Sequence, residues 1–383
     1  MFKKIFSVFI TLFLCGSVFA DMQKETFNRT IKYLDEGGLH FQYQKLENLD
    51  AQLRFLLDIC SKANLNDPNQ GMLYKKFLAA LSKINFNDFQ AVGSSTKRLK
   101  ENLYANKFFL AVNPETAGAN AAVKFNKNVK MQYCGTLPVN TVFAFGVYCD
   151  FAETFAIAEK NFKNNQDFKN NVIMFEQMFG IKAKDFAANV SGEFFSAVFN
   201  GTKKNEKHFL SVIPDNKGIL KKLATRYLGP ALIRYKDGSC SWEMPVAATD
   251  FGSGVTVYFA EKKVIVYNSN APLKKLFNND GSVQKLASAK PEIFGYLPNI
   301  EGMSYLVINL DVADFCPSAA KRNYSYCSFV SCKRGDGYLV DGRSNFNLLD
   351  VNEYAPIIEM LPELQDVLTE SAAEKNNLQP MPL

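Results

Sequence analysis

Residues 232–267, LIRYKDGSCSWEMPVAATDFGSGVTVYFAEKKVIVY, decide the fold class. They hold four short apolar runs, at 232–235, 240–244, 255–259 and 264–267, separated by turn residues. Lys236-Asp237-Gly238-Ser239 joins the first two, and Asp-Gly between apolar runs is a hairpin signal because glycine accepts the positive φ of a tight turn. Runs joined this closely pair antiparallel, since a parallel pair needs a crossover of a dozen or more residues. Working outward, further strands are expected at 88–97, 103–112, 141–149, 194–199 and 208–213. Asp215-Asn216-Lys217-Gly218 and Asn279-Asp280-Gly281 add turn punctuation. Helical spacing is expected at 22–35, 151–162, 168–180, 217–227 and 271–278. In 46–62, Leu46, Leu49, Leu53, Leu56, Leu57 and Cys60 recur on one face, and Asp67-Pro68 starts another helix through Leu73, Phe77, Leu78 and Leu81. Hairpin-linked strands interrupted by helices predict an α+β fold: a largely antiparallel, curved sheet with covering helices.

Two stretches resemble each other. Residues 135–155 read GTLPVNTVFAFGVYCDFAETF and residues 295–315 read GYLPNIEGMSYLVINLDVADF, with the Leu-Pro pairs 160 residues apart. Leu137-Pro138 matches Leu297-Pro298, Asp150 matches Asp311, and Ala152-Glu153 matches Ala313-Asp314. Proline stiffens the entry to each strand, and an Asp at the strand exit can cap the next helix. The expectation is two related strand–helix units, with the 141–149 strand central and covered on both sides, because its alternate residues are apolar on either face. The implied division is a leader at 1–20, N-terminal helices plus a hairpin at 21–134, a first α+β unit at 135–290, a second, shorter unit at 291–373, and a flexible tail at 374–383.

Composition narrows the chemistry. The 383 residues are 47% hydrophobic and 21% charged, which excludes a disordered chain. There are 34 Phe and 16 Tyr but one Trp and two His. Histidine is the commonest proton shuttle near neutral pH and the commonest metal ligand, so triads and His-rich metal centres are not expected. Lys3-Lys4, an apolar run at 5–14 and Val18-Phe19-Ala20 form a signal-peptide pattern, with cleavage expected between Ala20 and Asp21. Loss of 1–20 lowers the net charge from +6 to +4, and no Arg-rich stripe with stacking aromatics suggests nucleic acid. The expected location is therefore periplasmic or secreted, not an integral membrane protein.

Seven cysteines remain beyond Cys15, an odd number. Cys316 is the expected partner of Cys327 or Cys332, because those two, five apart on one strand, face opposite ways. No paired Cys-x-x-Cys supports zinc.

DFQAVGSSTKRLKENLYANKFFLAVN (88–113), the Leu-Pro strand at 137–149 and FGIKAKDFAANVSGEFFSAVF (179–199) carry a family resemblance. The chain resembles a family of uncharacterised exported bacterial proteins with a domain of unknown function. The matching features are Gly93-Ser94-Ser95, the strand at 103–110, Leu137-Pro138 with Thr141, Phe179-Gly180-Ile181 and Gly192-Glu193. The resemblance covers roughly residues 85–280, and the Cys-rich stretch 316–332 departs from it. It implies export and architecture but brings no catalytic residues.

Candidate chemistry is sparse. His40 and His208 sit in strand contexts, Gly252-Ser253-Gly254 lacks nucleophile-elbow spacing, and Arg334-Gly335-Asp336 spells an adhesion tripeptide. The acidic pairs Asp150/Glu153 and Asp311/Asp314 suit helix first turns. Phe143, Phe145, Phe194, Phe195 and Phe199 are candidate linings of an apolar cavity. The expected function is a non-enzymatic exported binding or scaffold protein of the cell envelope with a protein or envelope partner and no cofactor. The alternatives are a soluble carrier of a lipid or other apolar ligand and, third, a hydrolase. A Phe-walled cavity would favour the carrier, and a thiol beside either His would favour the enzyme.

Overall fold

A computed structural model of the chain describes residues 24–46, 89–113, 127–201, 206–249, 252–268, 284–312 and 326–347. The helices expected at 46–62, after Asp67 and at 271–278, together with Cys316 and Asp314, lie outside these residues. One helix, α1 (Lys24–Ile31), precedes β1 (His40–Lys45), β2 (Phe89–Lys100) and β3 (Leu103–Val112). After β4 (Val129–Lys130) and β5 (Thr141–Cys149), three helices follow: α2 (Phe151–Asn161), α3 (Gln166–Phe179) and α4 (Ala183–Asn189). Then come β6 (Gly192–Asn200), β7 (Lys207–Pro214), α5 (Ile219–Leu228), β8 (Ile233–Arg234), β9 (Cys240–Thr249), β10 (Gly252–Phe259) and β11 (Lys263–Asn268). The short helices α6 (Leu286–Ala289) and α7 (Pro291–Phe294) lead to β12 (Glu301–Gly302), β13 (Ser304–Asn309), β14 (Tyr326–Arg334) and β15 (Gly337–Ser344).

Thirteen of these strands form one antiparallel sheet, in the order β1-β2-β3-β15-β14-β13-β5-β6-β7-β11-β10-β9-β8, with helices packed on it. The α+β, antiparallel expectation holds. The hairpin at Lys236-Asp237-Gly238 is real, with Gly238 at φ +79°. The strand entered through Leu137-Pro138 is central, and its neighbour is the strand entered through Leu297-Pro298: Phe145 pairs with Leu306.

The main core lies on one face of this centre. Ala144, Phe195, Ala197, Leu210, Val212, Ile265, Tyr305, Val307 and Val330 meet Met131, Cys134, Leu137, Leu286, Ile293, Phe294 and Leu297 from the two segments that precede β5 and β13. Those covering segments are tied together. β4 pairs with β12, Leu286 N–H donates to Leu137 O (2.8 Å), and Cys134 Sγ donates to Leu297 O (3.1 Å). The Leu-Pro segments thus roof the sheet that their own strands build. Over β1–β3 the same face is covered by α1 and the turn after it, through Leu34. Gly93 permits this close approach, because a Cβ there would lie 2.7 Å from both Leu34 and Thr30.

The opposite face is covered differently. Along β11, Val264 belongs to a separate cluster with Phe259, Cys240, Leu232 and Ala224 of α5, whereas its neighbour Ile265 joins the main core. Near the sheet centre the described residues cover that second face only in part. On β5, Val142, Ala144 and Gly146 are buried, while Phe143 and Phe145 are each 39% exposed. Coverage of this strand on both sides is therefore corrected: it is central, but among the described residues it is roofed on one side only.

Candidate functional site

The five phenylalanines singled out as a cavity lining do not converge. Phe195 and Phe199 sit in the main core at 4% and 2% exposure. Phe143 and Phe145 project from the other face, and Phe194 makes an edge-to-face contact with Phe151 at the start of α2 (5.7 Å). The reason is the two-residue strand repeat: on β6, Phe194 and Phe195 are consecutive and so point opposite ways. A groove of about 610 Å³ lies elsewhere and is lined by residues 216–218, 221–222, 225–226 and 261–262, with no Phe among them.

What these residues do build is an apolar centre on the open face. Phe145 lies across from Leu306 on one side and Ser196 on the other; Phe143 lies across from Ile308 and Val198. Leu306 in turn pairs with Phe329. One end of this band is capped where Phe346, Cys327, Ile308 and Phe329 pack together. The middle, around Phe143 and Phe145, is accessible.

Behind it, on the roofed face, is a polar group of a different kind. The Glu193 carboxylate accepts from Gln132 N–H (2.6 Å) and Tyr133 N–H (3.5 Å), pinning the roof segment to β6. Burial raises the Glu193 carboxyl above its ordinary range, partly offset by those two donors. Tyr305 is 2% exposed, and its hydroxyl is buried without a hydrogen-bond partner. Burial, with the Glu193 charge nearby, drives Tyr305 ionisation far up. Burial also pushes the Cys134 thiol up to about 12 and Tyr133 to about 12, and lowers Lys263. A thiol raised this far is a poor nucleophile. The arrangement can fix a segment in place; its members are packed side chains. Glu193 enters the sequence reading only through a resemblance, because its partners are backbone N–H groups some sixty residues away.

The other sequence candidates have structural placements. Asp150 caps α2, accepting from Glu153 N–H (3.1 Å), and pairs with Lys127 (2.6 Å). The hydrogen bond to Lys127 holds its carboxyl below the usual range. Asp311 follows β13 in a 3-10 turn and pairs with Lys290. His208 is buried, with Nδ1 3.2 Å from Asn268 Nδ2 and Nε2 3.9 Å from Glu206, and His40 opens β1. Arg334-Gly335-Asp336 forms the β14–β15 turn and is docked on β3 and α1: Val112 N–H donates to Asp336 O (2.9 Å), and Arg29 lies 3.8 Å from the Asp336 carboxylate. Cys327 and Cys332 are free, buried thiols in different clusters, on opposite faces of β14.

Among the described residues, no group of three or more His, Cys, Asp or Glu could hold a metal ion, and no helix is long and apolar enough to cross a membrane. No family model, curated protein or solved structure matches the chain.

Proposed function

We propose that this chain is a non-enzymatic binding or scaffold protein of the cell envelope, and that it engages a protein partner through the centre of its open sheet face. The observation that carries this reading is the pair Phe143 and Phe145, side by side on the central strand, each 39% exposed over a sheet whose other face is filled. Aromatic side chains held on a rigid strand lose little entropy on binding and are favoured anchors at protein interfaces. The envelope part of the reading rests on the signal-peptide pattern at 1–20 and on the resemblance to exported proteins.

The carrier reading needs a cavity walled by the Phe side chains, and their division between two faces weighs against it. The hydrolase reading needs an activated nucleophile. Burial instead pushes the thiols of Cys134, Cys149, Cys327 and Cys332 upward.

The duplication is part of this proposal. From the centre outward, the sheet runs β5-β6-β7-β11-β10-β9, with the two-residue β8 at its edge, in one direction and β13-β14-β15-β3-β2-β1 in the other. Both halves are a three-strand meander followed by a second meander in reverse. Phe145 pairs with Leu306, and the interval between them is also the interval from Asp150 to Asp311. A local twofold axis through the Phe145–Leu306 pair would relate the halves, with β1–β3 completing the second unit from the N-terminal side. The binding centre would then straddle the axis.

Native mass spectrometry of the chain gently extracted from its source cell tests the function, comparing wild type with Phe143→Thr/Phe145→Thr. A protein adduct present in the wild type and lost in the variant is expected. A lipid adduct retained by both would overturn the reading in favour of the carrier.

A further inference from the structure

A second surface, remote from Phe143 and Phe145 in the sequence, joins exposed apolar side chains to a concentration of positive charge. α3 is apolar on more than one side. On one side, Phe168 contacts the rings of Phe155 and Phe162, the latter itself half exposed, and Phe175 contacts Phe186. Outward, Ile173, Met174 and Met178 are all more than half exposed. A surface helix normally turns a polar side to solvent, so an outward apolar ridge of this size is a sign of contact with something else. The last turn of α3 lies against the last turn of α5. Tyr227 Oη donates to Met178 O (3.0 Å), Arg226 Nη1 donates to Phe179 O (3.3 Å), and Tyr227 is itself 56% exposed.

From Arg226 the surface continues into the groove of about 610 Å³. Lys217, Lys221, Lys222, Arg226 and Lys262 line it against one carboxylate, Glu261. Lys217 is paired with Asp185 (3.0 Å) at the rim. The helix N-terminus here is already occupied by the chain itself, because the buried Asp215 carboxylate accepts from Leu220 N–H (2.9 Å) and Lys221 N–H (3.1 Å). The cations of α5 and the β10–β11 turn are therefore presented on a rigid, internally satisfied frame.

We propose that the α3–α5 surface docks the protein peripherally on an anionic lipid surface, with Ile173, Met174 and Met178 entering the headgroup boundary and Lys221, Lys222 and Lys262 facing the lipid phosphates. Charge complementarity selects this occupant: an apolar ridge flanked by cations matches the two components of interfacial binding, buried apolar area and attraction to anionic headgroups. Methionine suits the fluid side of such a contact because its unbranched chain adapts to irregular surroundings.

Cosedimentation of the full chain with phospholipid vesicles tests the proposal. Every variant keeps the same N-terminal segment, so differences between variants report the surface alone. Wild type should sediment with vesicles one-third phosphatidylglycerol and weakly with pure phosphatidylcholine, at about 0.1 M salt. Lys221→Gln/Lys222→Gln/Lys262→Gln should weaken binding to the anionic vesicles by about a hundredfold, at about fivefold per charge. Met174→Ser/Met178→Ser should weaken it by about tenfold, and Phe143→Thr/Phe145→Thr should leave it unchanged. Equal sedimentation with both vesicle types, none with the anionic ones, or wild-type sedimentation by either the lysine or the methionine variant would overturn the proposal. Loss of the Phe143/Phe145 partner with vesicle binding intact would leave it standing.

Discussion

The two sides of β5 carry similar hydropathy and meet different fates. On one side Gly146 is covered by the Tyr305 ring so closely that an added Cβ would overlap it, and Ala144 is fully buried. On the other, Phe143 and Phe145 stay 39% exposed beside Leu306 and Val198. The larger residues are on the emptier side. Apolar character alone therefore does not say which face a strand buries; the roof does, and the roof here comes from the segments at 127–139 and 284–300.

Substitutions can break or sharpen this contrast. The largest effect is expected at Gly146→Ala, where the new methyl must displace a fully buried ring. Urea unfolding should show a loss of about 3 kcal/mol. In a Tyr305→Ala background, itself destabilised by the cavity it leaves, Gly146→Ala should cost little, since the clash is gone.

Next is the pin between roof and sheet. Glu193→Ala leaves the Gln132 and Tyr133 N–H groups without their acceptor and should cost about 2 kcal/mol. Its pH dependence has a definite sign. The folded-state carboxyl is raised by burial, so its contribution is full below the unfolded value near 4.3 and is lost as pH rises through the folded value. Relative to Glu193→Gln, the wild type should lose stability as pH rises above about 4.

Asp150→Ala removes the α2 cap at the end of β5 and should cost about 1 kcal/mol. Here the sign reverses. The bond to Lys127 lowers the Asp150 carboxyl, so its contribution is present above about pH 4 and lost as acidification passes the folded value. Asp150→Asn should keep most of the cap and flatten that acid-side slope, measured by thermal melts across pH.

The smallest change in stability is expected on the open face. Phe145→Thr keeps strand propensity and should alter unfolding by about 0.5 kcal/mol, while abolishing partner retention. A loss comparable to Gly146→Ala would mean that the open face is core after all.

Much of the frame is legible in the sequence. Asp237-Gly238 marks its hairpin, and the strands at 103–112, 141–149 and 208–213 match the observed ones to within a residue or two, because turn chemistry and alternation are local signals. Asp150 reads as a helix cap from its position at a strand exit, and it is one. α4 is not legible as a separate helix, since seven residues between Lys182 and Val190 carry too short a pattern to separate from a loop. The candidate site is only partly legible. The sequence points to Phe143 and Phe145 but groups them with Phe195 and Phe199, from which β6 and its pairing with β5 separate them.

By itself, the amino-acid sequence determined the local grammar: where strands begin and turn, which residues cap, and that paired strands are antiparallel. It also determined that β5 would be central, because a strand apolar on both faces is poorly suited to an edge. Only the tertiary structure decided which of those faces is roofed, that the N-terminal hairpin strands close against β15, and that Phe145 meets Leu306. These outcomes depend on contacts between residues more than a hundred positions apart, where the energy comes from shape and burial in three dimensions and leaves no period along the chain.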